Sequence, residues 1–286
     1  MGVVFCWRRQ WGTTLLAGLV LTINPLHLWY SQEVRAYATM LFFGLLTLLA
    51  YEQARASRKP RWWVVYSISA LAAIGLHKTA IIFPVACALW HGWDLWREKG
   101  RLRELAAHAV TIGIACGALL LRPYPPPPAN GRSRSILEVA YTFMTFVGGY
   151  SLGPSITDIQ SHGPLGAVSR NLAQVGILGG VLSLLALAYV LQLRFLVRGK
   201  ETSLVVLNLG FVSVTTLIFA YPYNVRYTLP GLLAFVAQVA ALNDGAGRRR
   251  YIPRLAIAAV LLLALWADAQ WFYSPAYRKT DSRAMA

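Results

Sequence analysis

The residues most able to do chemistry in this chain lie in one short polar stretch between two apolar runs. From Pro25 to Tyr37 the sequence reads PLHLWYSQEVRAY, which gathers a carboxylate, a guanidinium and several aromatic rings into thirteen residues. Polar groups are costly beside lipid and are usually functional where they occur. Glu33 is the one acid of the chain within such a dense polar motif, and its carboxylate could serve as a general base.

A structural role for Glu33 is the simpler interpretation. Ser31 is a typical helix N-cap, which would put Glu33 in the first turn of the next helix, where a carboxylate favours the helix dipole. Helical spacing would then place Tyr30, Glu33 and Tyr37 on one face. We therefore favour orientation of a site by Glu33 over direct base catalysis, and keep base catalysis as the alternative.

Three cations are predicted at one level, near the starts of three helices: Arg35, Lys78 and Arg226. Helix N-termini favour anions, and cations add charge-assisted hydrogen bonds, so the three together could bind a phosphate or diphosphate. The alternative is that each side chain only reaches for lipid headgroups. The side chains predicted to line this site are Tyr30, Gln32, Tyr37, His77 and Tyr227.

The histidines and cysteines show no spacing typical of a metal or redox site. The five histidines are scattered, without an HExxH motif, and the three cysteines include no CxxC pair. No glycine-rich phosphate loop is present either. We expect no metal and no cofactor, and we interpret His77 as a polar core or interface residue.

Composition places the chain in a membrane. It is 57% hydrophobic and 13% charged, about half the charged fraction of a soluble domain. Its net charge of +16 comes in short clusters between apolar runs, a pattern typical of cytoplasmic loops rather than of nucleic-acid binding. The predicted fold class is therefore all-α, a polytopic transmembrane helical bundle with no nucleic-acid partner.

The apolar runs predict nine spans in one transmembrane domain covering residues 1–286. They lie at roughly residues 12–29, 36–54, 62–77, 80–96, 105–121, 172–193, 203–220, 226–243 and 253–271. With the N-terminus cytoplasmic, most lysines and arginines fall in cytoplasmic loops. The C-terminal tail, 272–286, and a long loop, about 122–171, are then external.

The long loop contains three different segments. A proline run at 122–128 predicts a polyproline strut, residues 136–147 predict a short amphipathic helix, and residues 148–155 predict a turn-rich loop. Such a loop is either a substrate-binding element or a connector. At the other end of the chain, residues 1–7 form an apolar stub before Arg8 and Arg9, which leads us to expect a truncated start.

The polar stretch carries a family resemblance. Trp29-Tyr30-Ser31-Gln32-Glu33-x-Arg35-x-Tyr37 resembles the "WYSQEaRxYA" segment of family 39-like membrane glycosyltransferases of the GT-C superfamily, which include protein mannosyltransferases and lipid A aminoarabinose transferases. Looser similarities lie in Gly148–Ser155, in Arg226-Tyr227 with Pro230, and in the stretch after the last span.

The resemblance implies a function and a set of roles. The chain would be a glycosyltransferase of the bacterial inner membrane, taking a sugar from a polyprenyl-phosphate donor at the outer face and passing it to a lipid, glycan or protein acceptor. The reaction would be a metal-independent displacement at the anomeric carbon. Arg35 and Arg226 would hold the donor phosphate.

The sequence departs from the family pattern in three places. The catalytic aspartate of the family lies in the first external loop, which would precede Met1, so Glu33 is the candidate base within this chain. His77-Lys78 stands where many relatives have His-Tyr. The C-terminal periplasmic part of larger members is missing.

Two other classes of function stay open. One is a transporter or ligase-like protein for lipid-linked glycans, and the other is a non-catalytic membrane scaffold. A transporter would need ionisable groups and broken helices at mid-membrane depth. The predicted gathering of polar groups at one face favours the enzyme.

Overall fold

The computed structural model describes residues 10–33, 36–97, 102–121, 137–154, 156–196, 225–244 and 251–274. Over these residues the fold is all-helical, without a β-strand. Short 3₁₀ turns cover Lys78–Ile81, Val225–Thr228 and Leu242–Asp244. The α-helices are α1 Trp11–Thr22, α2 Pro25–Ser31, α3 Tyr37–Ser57, α4 Pro60–Leu76, α5 Ile82–Arg97, α6 Leu102–Leu120, α7 Leu137–Gly148, α8 Ile156–Arg170, α9 Leu172–Leu196, α10 Leu229–Ala241 and α11 Tyr251–Tyr273.

The first predicted span is divided in two at Asn24 and Pro25. Pro25 occupies the first position of α2, where its missing N–H costs nothing. The Asn24 side chain caps α2 by accepting a hydrogen bond from the His27 backbone N–H at 3.0 Å. Its amide nitrogen also donates to the Phe146 carbonyl at 2.7 Å, which ties the α1–α2 junction to α7.

The prediction that Ser31 caps the helix after it was wrong. Ser31 is the last residue of α2, and its hydroxyl donates back to the Leu28 carbonyl at 2.8 Å. Because Asn24 and Pro25 start a helix that runs through Ser31, Glu33 lies in the connection before α3 rather than in a first helical turn. The proposed common helical face of Tyr30, Glu33 and Tyr37 therefore does not exist.

Helices α3 and α4 form an antiparallel hairpin, and α5 packs across α3. The hairpin turns at Arg58, which adopts a left-handed conformation (φ 56°), and Pro60 then begins α4. Gly44 of α3 lies so close to the Phe83 ring of α5 that a Cβ there would clash with the ring. Helix α10 is almost wholly buried and lies at the centre of the packing.

Among the helices that the structure describes, two are long and apolar enough to cross a membrane: α9 over Leu172–Leu191, and α11 over Tyr251–Tyr273. Only 17% of the most apolar stretch of α9 is buried against the rest of the protein, so this helix presents an apolar surface. The short amphipathic helix predicted at 136–147 is present as α7, whereas α8, interrupted at Gly163, was not predicted. The span predicted at 203–220, the stub and the proline run lie outside the described residues.

Candidate functional site

Several helix ends meet at one end of the bundle, which we call the Tyr30 end. The C-terminus of α2 supplies Tyr30, the start of α3 supplies Tyr37, and the connection after α4 supplies His77. The loop after α7 adds Tyr150, and the 3₁₀ turn before α10 adds Arg226 and Tyr227. We call these six residues the Tyr30 cluster.

Tyr30 links two of these elements through its ring and its hydroxyl. Its hydroxyl is hydrogen-bonded to that of Tyr150 at 2.7 Å, and its ring meets the Tyr37 ring edge-on with centroids 5.0 Å apart. Burial raises the pKa of the Tyr30 phenol well above its usual value. The group is therefore neutral at physiological pH and acts as a hydrogen-bonding group rather than as a base.

His77 lies between two tyrosines. Its ring centroid is 5.5 Å from that of Tyr37 and 5.8 Å from that of Tyr227, on which it stacks. Burial, with further contributions from Arg226 and Lys78, lowers the pKa of His77 to about 4. The imidazole is therefore uncharged at neutral pH.

Arg226 provides positive charge to the same cluster. Its guanidinium lies 5.1 Å from the centroid of the Tyr227 ring and donates to the Tyr227 hydroxyl at 3.1 Å. Its charge also acts on Tyr30, Tyr37 and His77. A cation whose charge acts on these three rings makes the Tyr30 end a suitable place for an anion.

The predicted site residues are not all in the cluster. The charge of Glu33 acts on the Tyr30 phenol, and that of Lys78 acts on His77, so both lie near it. Gln32 is exposed and caps the C-terminus of α2 through its backbone N–H. Arg35 lies outside the described residues.

Part of this surface was not predicted from the sequence. Tyr150 was included only within the turn-rich loop predicted at 148–155. In the structure the Trp29 ring meets that of Tyr150 edge-on, with centroids 5.2 Å apart, and lies tilted against that of Trp271, with centroids 5.4 Å apart. These contacts extend the aromatic surface to the end of α11. The sequence feature that could have indicated Tyr150 is its position beside Ser151 in a glycine-rich loop.

Close backbone packing fixes the loop that carries Tyr150. Gly149 has φ 61°, and a Cβ there would lie 2.8 Å from the Pro25 Cβ. On the other side of Tyr150, the Ser151 hydroxyl donates to the Ala267 carbonyl at 2.8 Å, and the Gly153 N–H donates to the Gln174 side chain at 2.7 Å. The loop is thereby held against α2, α9 and α11.

A second polar cluster lies at the opposite end of α3–α6, and we call it the His108 cluster. Tyr66 and His108 share a hydrogen bond of 2.7 Å between Oη and Nδ1, and His91 Nε2 lies 3.6 Å from a Glu104 oxygen. The rings of His91 and His108 are 5.4 Å apart. Along the sequence these histidines are far apart, so their spacing did not predict this cluster.

Within the described part of the chain, no group of three His, Cys, Asp or Glu side chains is arranged to hold a metal ion. What the site offers is fixed positive charge beside neutral hydroxyl and imidazole groups. Comparison of the chain with protein-family models, with curated proteins and with solved structures gave no match.

Proposed function

We propose that this chain is a membrane glycosyltransferase, or the membrane part of one, that uses a polyprenyl-phosphate-linked sugar at the outer face of the bacterial inner membrane. The observation that carries the proposal is the meeting of Arg226, His77 and four tyrosines, with Lys78 nearby, at one end of a helical bundle. A phosphate needs cations and hydrogen-bond donors, and a lipid-linked phosphate needs them where helices end at a membrane surface.

Helix lengths are compatible with the nine-span arrangement that we propose. Helices α3 to α6 have 21, 17, 16 and 19 residues. At 1.5 Å per residue they are about 24–32 Å long, close to the roughly 30 Å apolar thickness of a bilayer. With a cytoplasmic N-terminus, alternation of these helices puts the Tyr30 end outside.

The proposed reaction is a direct displacement at the anomeric carbon. The acceptor hydroxyl oxygen forms a bond to that carbon while the bond from the carbon to the phosphate oxygen breaks, and the polyprenyl phosphate leaves with the electron pair. Arg226 and Lys78, with Arg35 as a third candidate, would stabilise the leaving phosphate.

The hydroxyl proton passes to a carboxylate in this scheme. Glu33 is the candidate within the chain, and its charge already acts on Tyr30 at the site. The alternative is the aspartate that the family carries in the loop after its first helix. Sugar and acceptor are not specified by the cluster.

Binding of a polyprenyl monophosphate tests the proposal. The full chain in phosphatidylcholine nanodiscs would be titrated with this lipid and with the matching uncharged polyprenol. We expect preference for the phosphate, and we expect Arg226→Ala and Lys78→Ala each to weaken phosphate binding about tenfold, since each removes a charge-assisted hydrogen bond.

Lys59→Ala is the matched control, because Lys59 is exposed at the opposite end of the bundle. Its affinity for the phosphate lipid should equal that of the unchanged chain. Equal binding of the two lipids, or equal losses in all three variants, would reject the proposed site. Transport of the lipid across the bilayer without sugar transfer would favour the transporter instead.

A further inference from the structure

The hydrogen bonds of His77 fix the position of its proton. Nδ1 lies 3.4 Å from the Thr79 backbone nitrogen, whose N–H donates to it, and 2.8 Å from the Thr79 hydroxyl. A backbone N–H can only donate, so Nδ1 must be the acceptor. The proton of the neutral imidazole is therefore on Nε2.

Neighbouring rings hold the imidazole in this orientation. His77 caps the 3₁₀ turn Lys78–Ile81 with the same Nδ1, while Tyr37 and Tyr227 contact its ring. Turning the ring over about the Cβ–Cγ bond would place Cδ2–H where Nδ1 now lies, and the hydrogen bonds to Thr79 would be lost. One tautomer is thus built into the connection between α4 and α5.

Nearby charges keep this tautomer neutral. Arg226 and Lys78 both act on His77, and each opposes the addition of a second proton to the ring. The described groups that act on His77 are these two cations, and the rings against it are those of Tyr37 and Tyr227. The Nε2–H is therefore a donor whose protonation does not change near neutral pH.

We propose that His77 is an uncharged positioning residue of the phosphate site, whose Nε2–H donates to a phosphate oxygen of the lipid-linked substrate beside Arg226 and Lys78. This role rests on the proposed function. A neutral donor orients the phosphate without adding a further positive charge, so the phosphate product is held less tightly than it would be with a cation in place of His77.

Nitrogen NMR of the histidines tests the tautomer without any ligand. The full chain would be labelled with ¹⁵N-histidine in nanodiscs, and the His77 signals would be assigned by their loss in His77→Gln. We expect one protonated nitrogen, Nε2, and one unprotonated nitrogen, Nδ1, unchanged from about pH 5.5 to 8. A ring that titrates near its usual pKa of about 6.5, or a proton on Nδ1, would overturn the inference.

Binding of the polyprenyl monophosphate tests the donor. The Nε2 signal should shift when the lipid is added, and the uncharged polyprenol should leave it in place. His77→Phe, which keeps a stacking ring but no donor, should weaken binding about tenfold. His77→Gln, whose amide nitrogen can reach the Nε2 position, should bind the lipid with an affinity within about threefold of that of the unchanged chain. The control is His162→Gln, at an exposed position on α8, and its affinity should equal that of the unchanged chain.

The outcomes separate this inference from the proposed function. If Arg226→Ala loses affinity while His77→Phe does not, the phosphate site stands and the role of His77 is wrong. If neither variant loses affinity, the proposed function itself fails. Thermal unfolding of each variant identifies one that has lost its fold, and in that case the NMR signal of the unchanged chain with lipid decides the matter.

Discussion

Individual polar groups in this protein are paired across helices, and the pairs at the two ends serve different purposes. At the Tyr30 end the hydroxyl pair of Tyr30 and Tyr150 lies beside a cation. At the opposite end Tyr66 and His108 are both buried, and their hydrogen bond joins α4 to α6. We interpret the second pair as structural, because a buried polar group is costly unless it is bonded.

Tyr66→Phe should destabilise the fold through this pair. The substitution keeps the ring but leaves His108 Nδ1 buried without the hydroxyl, which costs about 1–3 kcal/mol. Thermal unfolding of the full chain in detergent would measure the loss. Tyr251→Phe is the matched control, since that ring is 80% exposed, and it should unfold with the unchanged chain. Identical unfolding of both variants would show that the Tyr66–His108 bond carries no net stability.

At the scale of the elements, junctions rather than helices position the site. The loop after α7 approaches α2 closely at Gly149, and this contact places Tyr150 beside Tyr30. The α1–α2 junction is tied to the same region by the bond from Asn24 to Phe146. The site is therefore sensitive to backbone changes several residues away from its polar groups.

Gly149→Ala should disrupt this junction. Its φ of 61° is strained for alanine, and the new Cβ would lie 2.8 Å from Pro25. We expect a loss of about 1–3 kcal/mol in stability together with weaker binding of polyprenyl monophosphate. Gly180→Ala on α9, where a Cβ meets nothing within 4 Å, should be neutral or slightly stabilising. If both variants behave alike, the close approach at Gly149 does not position the loop.

The sequence allowed the helices to be predicted better than their junctions. Apolar runs marked α3, α4, α9 and α11 to within a few residues, because burial in a bundle or in lipid demands long apolar segments. The apolar pattern could not show that α2 ends at Ser31, because a serine can stand at the end of one helix or at the start of the next. Where α2 ends depends on where it begins, and Asn24 and Pro25 set its start.

The sequence predicted those residues of the candidate site that lie at the ends of predicted helices. The expectation that Tyr30, Tyr37, His77 and Tyr227 share one level depended on alternating helices, and the structure brings these four rings together. Tyr150 and the His108 cluster depended on side-chain contacts between distant segments. No periodicity or spacing in a single sequence encodes such contacts.

At the scale of the whole molecule, the two ends of the bundle differ in character. The turn between α3 and α4 exposes Arg58, Lys59 and Arg61, as expected of a cytoplasmic turn. The described part of the Tyr30 end instead presents a cluster of aromatic rings beside Arg226. We propose the orientation that this asymmetry favours, with the α3–α4 turn inside and the Tyr30 end, together with α8, outside.

Labelling of single cysteines tests that orientation. Cys6 and Cys116 would be replaced by alanine, while Cys87 is buried and can stay. Two exposed positions would then receive a cysteine, His162→Cys on α8 and Lys59→Cys in the α3–α4 turn. Because the apolar core excludes a charged maleimide, intact cells should label only His162→Cys, and permeabilised cells should label both. Labelling of Lys59→Cys alone in intact cells would invert the topology and place the Tyr30 end in the cytoplasm, where sugar transfer from the outer face could not occur.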